Sequence, residues 1–268
     1  MSWKNLRDDL KSDVPASLNE KRISIKQSDG KAYFVYYDKE LKENLAVPEI
    51  EGVILGTAMS ISSFDTNYGK NGSTWNSHYI FDFDKVRIFA PNGDKQPIMK
   101  YQEAIDWLGK ETKATVKKRT VYFVLTHEGI LAVYTNPTIA IEQLSKTEWR
   151  YSVVKLTPLI YNPGTAKLSK KAVDYLGKLA NTNPPLYADL TVSQPITDDY
   201  ANVIGLEQYQ KMFNHVKDFY GKTTADVVEA ETNDYTQEIQ DYQRPAPGFQ
   251  HEIKPQSDHG LSDDDLPF

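Results

Sequence analysis

The last six residues, Asp263-Asp264-Asp265-Leu266-Pro267-Phe268, concentrate more recognition chemistry than any other stretch of this 268-residue chain. Read as the chain terminus, Phe268 carries two handles: a ring that fills a pocket, and an α-carboxylate that a basic side chain or backbone nest clamps. The Asp run steers such an end toward a basic rim. Pro267 fixes one φ angle and lowers the ordering cost of docking. A second set of residues pairs cations with rings. Lys113, Lys117, Lys118 and Arg119 form the densest basic cluster and lead into Tyr122 and Phe123. Cations that track a phosphate backbone, beside rings on which bases stack, are what a single-strand binder needs. On a strand, Lys117 and Arg119 share one face, and Lys118 and Tyr122 share the other.

Two further groups have the same chemistry. Lys70, Trp75 and Tyr79 lie in or beside the glycine-rich stretch Gly69–Trp75, where a large ring either contacts a ligand or lids the core. Arg150 and Tyr151 follow Trp149. In the run Tyr33-Phe34-Val35-Tyr36-Tyr37, alternation sends one set of rings inward and leaves the other to stack bases. The sequence leaves open which set is which.

The terminal hexapeptide resembles the C-terminal tip of bacterial single-stranded DNA-binding proteins, which close with Asp-Asp-Asp-Leu-Pro-Phe or Asp-Asp-Asp-Ile-Pro-Phe. The resemblance covers the last eight residues. It implies a sequence-independent single-stranded DNA-binding protein of replication, recombination and repair. Its tip, Asp263 to Phe268, would dock exonucleases, helicases and polymerases. The resemblance also implies an OB-type barrel. The body, residues 1–222, diverges from the bacterial proteins, which suggests a phage-encoded or plasmid-encoded member.

Charge divides the chain as such a protein requires. Residues 223–268 hold eleven Asp and Glu against Arg244 and Lys254, a net charge of −9. The whole chain is −6, so residues 1–222 carry +3. A mildly basic body with an acidic arm suggests a nucleic-acid binder. The segment around Pro245-Ala246-Pro247-Gly248 has no apolar period, so residues 223–268 are expected to be a disordered tail. Its r.m.s. reach would be roughly 40 Å, which lets a docked enzyme sit beside the body or lets the arm compete with DNA.

Rival classes have less support. His78, His127, His215, His251 and His259 lack metal-ligand spacing, and no phosphate-cradling Gly-rich loop ending in Lys occurs. Asp82 and Asp84 share a strand face and suit a Mg²⁺ nuclease only if a third acid joins them. A decoy that carries the tip without binding DNA is the third class. The reading is therefore a non-enzyme with no cofactor and no metal, compatible with self-association. The absence of Cys fits a reducing cytoplasm. No apolar run suits a signal peptide or a membrane span.

Strand-like runs dominate the elements that must position these residues: Arg22–Gln27, Lys31–Tyr37, Gly52–Phe64, His78–Phe83, Lys85–Ala90, Thr112–Thr126, Ile130–Thr135, Trp149–Tyr161 and Tyr187–Val192. Ser28-Asp29-Gly30 reads as a hairpin turn. Helices are predicted over 3–11, 98–109 (stopped by Gly109), 138–144, 169–180 and 206–220. The pattern specifies a mostly β or α+β domain over 1–222, with helices inserted among the strands.

Overall fold

The computed structural model describes residues 18–39, 41–146, 148–164, 168–180 and 184–221. The expected helix over 3–11, the acidic tail and the terminal hexapeptide lie outside the described residues. The domain is α+β and mostly strand, built on one mixed ten-stranded sheet.

β1 (Lys21–Ser28) and β2 (Lys31–Asp38) form the hairpin read from Ser28-Asp29-Gly30. Asp29 and Gly30 both hold positive φ, +52° and +74°, as the tight turns that match strand twist require. β3 (Glu43–Val47) pairs with β2, and its five residues lie outside the expected strand runs. β4 (Ile50–Asp65) runs sixteen residues and turns at the hairpin into β5 (Ser73–Ser77). The strands expected over His78–Phe83 and Lys85–Ala90 shrink to bridges at Ile80 and Val86 and the two-residue β6 (Ile88–Phe89). A turn breaks them, with Lys85 N–H donating to the Asp82 carbonyl.

Helix α1 (Tyr101–Thr112) starts late because Met99 is bridged to Val86. The Lys100 N–H then donates to Glu103 Oε2, as in a capping box. Gly109 sits inside this helix, and Lys113, at φ +53°, ends it. β7 (Lys117–Thr126) therefore begins five residues later than the expected run. β8 (Gly129–Thr135) leads to α2 (Pro137–Lys146). Asn136 Oδ1 accepts from the N–H groups of Thr138 and Ile139, and Pro137 opens the helix. Trp149–Tyr151 is a 3₁₀ turn rather than strand, followed by β9 (Ser152–Ile160). α3 (Lys170–Ala180), β10 (Leu186–Pro195), α4 (Asp198–Val203) and α5 (Leu206–Gly221) complete the described chain. α4 was not expected; Thr197 caps it.

The sheet path is β10-β9-β4-β7-β8-β1-β2-β3, with β5 and β6 added beside the far half of β4. It curls so that β2 lies against β9. Thr135 Oγ1 of β8 accepts from the Ala188 N–H of β10 at 2.9 Å. Inside the curl, Phe34, Ile54, Tyr122, Val124, Val133, Val154 and Leu156 pack together. Each such side chain contributes about 1.5–3 kcal/mol on burial. This settles the β2 rings: Phe34 and Tyr36 face the interior, and Tyr33 and Tyr37 stand on the outer side. On the outer side of β7, Val121, Phe123 and Leu125 are covered by α5 through Phe213 and Val216. Gly56 permits this approach, since a Cβ there would lie 2.4 Å from the Phe213 ring. A third cluster packs α1 against β4, β5 and β6 through Ile61, Trp75, Ile88, Ile105 and Leu108.

Candidate nucleic-acid interface

The face opposite α1 is the candidate site, and the ladder register defines it. Directly paired residues of an antiparallel ladder project to one side of a sheet. Ser62 pairs with Lys117, and Ser60 pairs with Arg119. Ser62 also pairs with Asn76, and Phe64 with Thr74. Asn76 pairs with Phe89, and Phe89 bridges to Lys95. All of these project away from α1, because their neighbours Ile61, Trp75 and Ile88 project toward it. The face therefore carries two rings, Phe64 and Phe89, and three cations, Lys95, Lys117 and Arg119. Ser60, Ser62, Thr74 and Asn76 lie between them. Phe64 is 45% exposed, and Lys117 is exposed.

Local packing fixes these groups. The Gly69–Gly72 turn lies against the Phe64 ring; a Cβ on Gly72 would come within 2.7 Å of it. Arg119 Nη1 donates to the Lys118 carbonyl at 2.8 Å, which holds the guanidinium along β7. Beneath the face, Ser63 Oγ and Thr112 Oγ1 lie 2.7 Å apart and join β4 to the end of α1. Lys113 follows that junction and is exposed, and Lys70 is exposed on the β4–β5 turn. Lys70, Lys113, Lys117 and Arg119 are thus drawn toward the same end of the sheet.

Other sequence-predicted residues go elsewhere. Trp75 is on β5 but faces inward. It is 7% exposed and meets Tyr68 and Trp107 edge to face at 6.3 and 5.6 Å. Tyr79 is buried against Phe123, and its hydroxyl donates to Glu20. Tyr122 is fully buried inside the curl; burial and the Asp189 charge push its hydroxyl pKa upward. Neither tyrosine nor Trp75 offers a stacking face, because strand alternation turns each into a core. Lys118 pairs with Ile61 and is buried with it on the α1 side. Arg150 and Tyr151 are exposed, with the guanidinium 5.5 Å from the Trp149 ring centroid. Their 3₁₀ turn lies by β9, which meets β4 only at Ile50–Gly52, far from Phe64 along the strand. They do not join this face.

Sequence reasoning missed Phe64, Phe89 and Lys95. The period of two places Phe64 at the end of the strand-like run Gly52–Phe64 but gives it no direction. The alternation Ile88-Phe89 beside Ile61-Ser62 was the available signal. Asp82 and Asp84 do not form a metal centre: Asp82 pairs with Lys85 at 3.6 Å and accepts from the Asp84 N–H at 2.9 Å. Among the described residues no cluster of three or more acidic or histidine side chains is suited to a metal ion. Among them also, no helix is long and apolar enough to cross a membrane.

The rim toward α5 carries one strongly shifted group. His78 stacks on Tyr220 with ring centroids 5.3 Å apart. Burial lowers its pKa to about 4; the Arg87 charge also lowers it, and the Arg87 carbonyl at 3.2 Å from Nδ1 opposes the shift.

Comparison of the chain with protein-family models, with curated proteins and with solved structures finds no match.

Proposed function

We propose that the chain is a sequence-independent single-stranded DNA-binding protein. The outward face of β5, β4 and β7 would be its binding surface, and its C-terminal hexapeptide would dock partner enzymes. The observation that carries the reading is the register. It assembles exposed Phe64 and Lys117 and half-buried Arg119 with hydrogen-bonding side chains on one sheet face that no helix covers among the described residues. Rings on a cationic groove bind single strands without reading bases.

The strand order supports an OB-type barrel as the finer fold. Such a barrel is a five-stranded Greek key whose second and third strands and first long loop hold the ligand. Here long β4 pairs with both β7 and β9, β7 and β8 form a hairpin, α2 follows β8, and β9 pairs with β10. The Thr135–Ala188 hydrogen bond brings β8 to β10. With β4, β7, β8, β9 and β10 as the five strands, the first long connection carries β5, β6 and α1. The candidate face then falls on that connection and the second strand. The β1–β3 meander is an addition beside β8.

The docking reading rests on the residue types of Asp263 to Phe268 and on their resemblance to the bacterial tip. Partners would be replication, recombination and repair enzymes.

Anisotropy titrations with a labelled thirty-residue oligo(dT) and a matched duplex test the proposal. Tight single-strand binding and much weaker duplex binding are expected. Equal affinities, or no binding of either, would overturn it.

A further inference from the structure

We propose that the bound strand crosses the sheet at right angles to the β-strands and extends onto β6, between end cations Lys95 and Lys117, with a footprint of about four nucleotides. This rests on the single-strand reading above and says where and how the strand lies.

Three observations carry it. First, one cross-strand row runs Lys95, Phe89, Asn76, Ser62, Lys117 without interruption. It places a cation at each end, a ring at the second position, and an amide and a hydroxyl between. Adjacent strands are about 4.8 Å apart, so the row spans roughly 19 Å. That suits a short stretch of phosphates and falls at the low end of footprints for single-strand-binding folds, about four nucleotides. Second, Phe64 stands two residues along β4 from Ser62, next to this row. Phe64 and Phe89 therefore stand on different strands, one beside the row and one within it, with β5 between them. Third, the route along the β-strands is blocked. Past Ser60 and Arg119 the same face goes under α5, where Phe213 sits on Gly56 and Val121 and Phe123 are buried. A strand lying along β4 would run into that helix after a few residues. A strand crossing toward β6 meets no helix among the described residues.

β6 has only two residues, and its functional value here is register: it presents Phe89 beside Asn76 and brings Lys95 level with both. The inserted unit of β5, β6 and α1 thus widens the face rather than merely bridging β4 to β7.

The test uses the full chain and oligo(dT) of two to twelve nucleotides, with a thirty-nucleotide control, read by anisotropy. Affinity is expected to rise steeply up to about four nucleotides and then only gradually. Phe89→Ala and Phe64→Ala should each weaken binding about 5- to 100-fold for oligomers of four or more. Lys95→Glu, a surface change that spares the core, should weaken binding of the same oligomers and spare the dinucleotide. Phe89→Tyr should restore most of the affinity lost in Phe89→Ala, which separates stacking from a folding defect. If Lys95→Glu and Phe89→Ala bind every length as the unmodified chain does, while Lys117→Gln is weakened, the strand does not reach β6 and this inference falls alone. If the unmodified chain fails to bind the thirty-nucleotide control, the single-strand reading falls and this inference with it.

Discussion

Replacing Lys117 and Arg119 together by Gln should change the salt dependence of DNA binding, whereas Phe64→Ala should change its strength at every salt concentration. The distinction follows from what each group contributes. A cation on a phosphate releases condensed counterions, and for a single strand each contact adds about −0.7 to the slope of log K against log[salt]. Three cations project from the face, Lys95, Lys117 and Arg119, and exposed Lys70 and Lys113 lie toward the same end of the sheet. If all five touch phosphate, the slope is about −3.5, and affinity drops roughly a hundredfold between 50 and 200 mM salt. Removing Lys117 and Arg119 should bring the slope to about −2. Phe64 is 45% exposed and uncharged. Its loss removes one stacking partner, about 1–3 kcal/mol, and leaves the slope alone. The assay is anisotropy of a labelled twelve-nucleotide oligo(dT) at four salt concentrations, with circular dichroism to show that each variant is folded. A slope unchanged in the double variant would refute the placement of phosphates on this face. A changed slope in Phe64→Ala would refute the assignment of that ring to stacking.

Four further outcomes are expected. Tyr122→Phe should leave DNA binding unchanged and stability equal or higher by up to about 1 kcal/mol, because its buried hydroxyl has no hydrogen-bond partner among the described residues; urea unfolding reads this, and a large loss would reveal a partner for that hydroxyl. Phe213→Ala should cost about 3–5 kcal/mol, since this 3%-exposed ring seats α5 on the sheet; the same titration checks it. Stability should fall with acidification across the interval from 6.5 to about 4, where unfolded chains protonate His78 and the folded protein does not. This contribution is fully present above pH 6.5 and amounts to at most about 3 kcal/mol; in His78→Gln that interval should show a flatter unfolding profile. Deleting Phe268, or adding one residue after it, should abolish capture of partner enzymes from a bacterial lysate without weakening DNA binding, while deleting 223–268 should leave DNA affinity equal or higher because −9 of charge leaves with it; identical partner sets for intact and Phe268-deleted baits would make the tip a solvated acidic end.

Period and punctuation in the sequence located most elements, because alternation, turn residues and caps act locally. The β1–β2 hairpin, β7, β8, the Asn136-capped α2 and the amphipathic α3 and α5 were legible in this way. β3 and β5 were not, because such short strands exist only through the partners that their ladders find; β6 is the two-residue remnant of the expected Lys85–Ala90 run. The charge division at residue 222 and the chemistry of Asp263 to Phe268 are likewise properties of the chain itself.

Direction is what only the tertiary structure decided. A period of two says that Trp75, Tyr79 and Tyr122 each have a face, but not which face meets a helix. α1 covers one side of β4, β5 and β6 and takes Trp75 into a core; the sheet's curl takes Tyr122; α5 and its neighbours enclose Tyr79. The residues left outward, Phe64, Phe89, Lys95, Lys117 and Arg119, are separated by up to fifty-five positions in sequence and meet through ladder register alone. Register depends on which strands pair, and pairing is set by burial summed over the whole domain, a quantity that no local window contains.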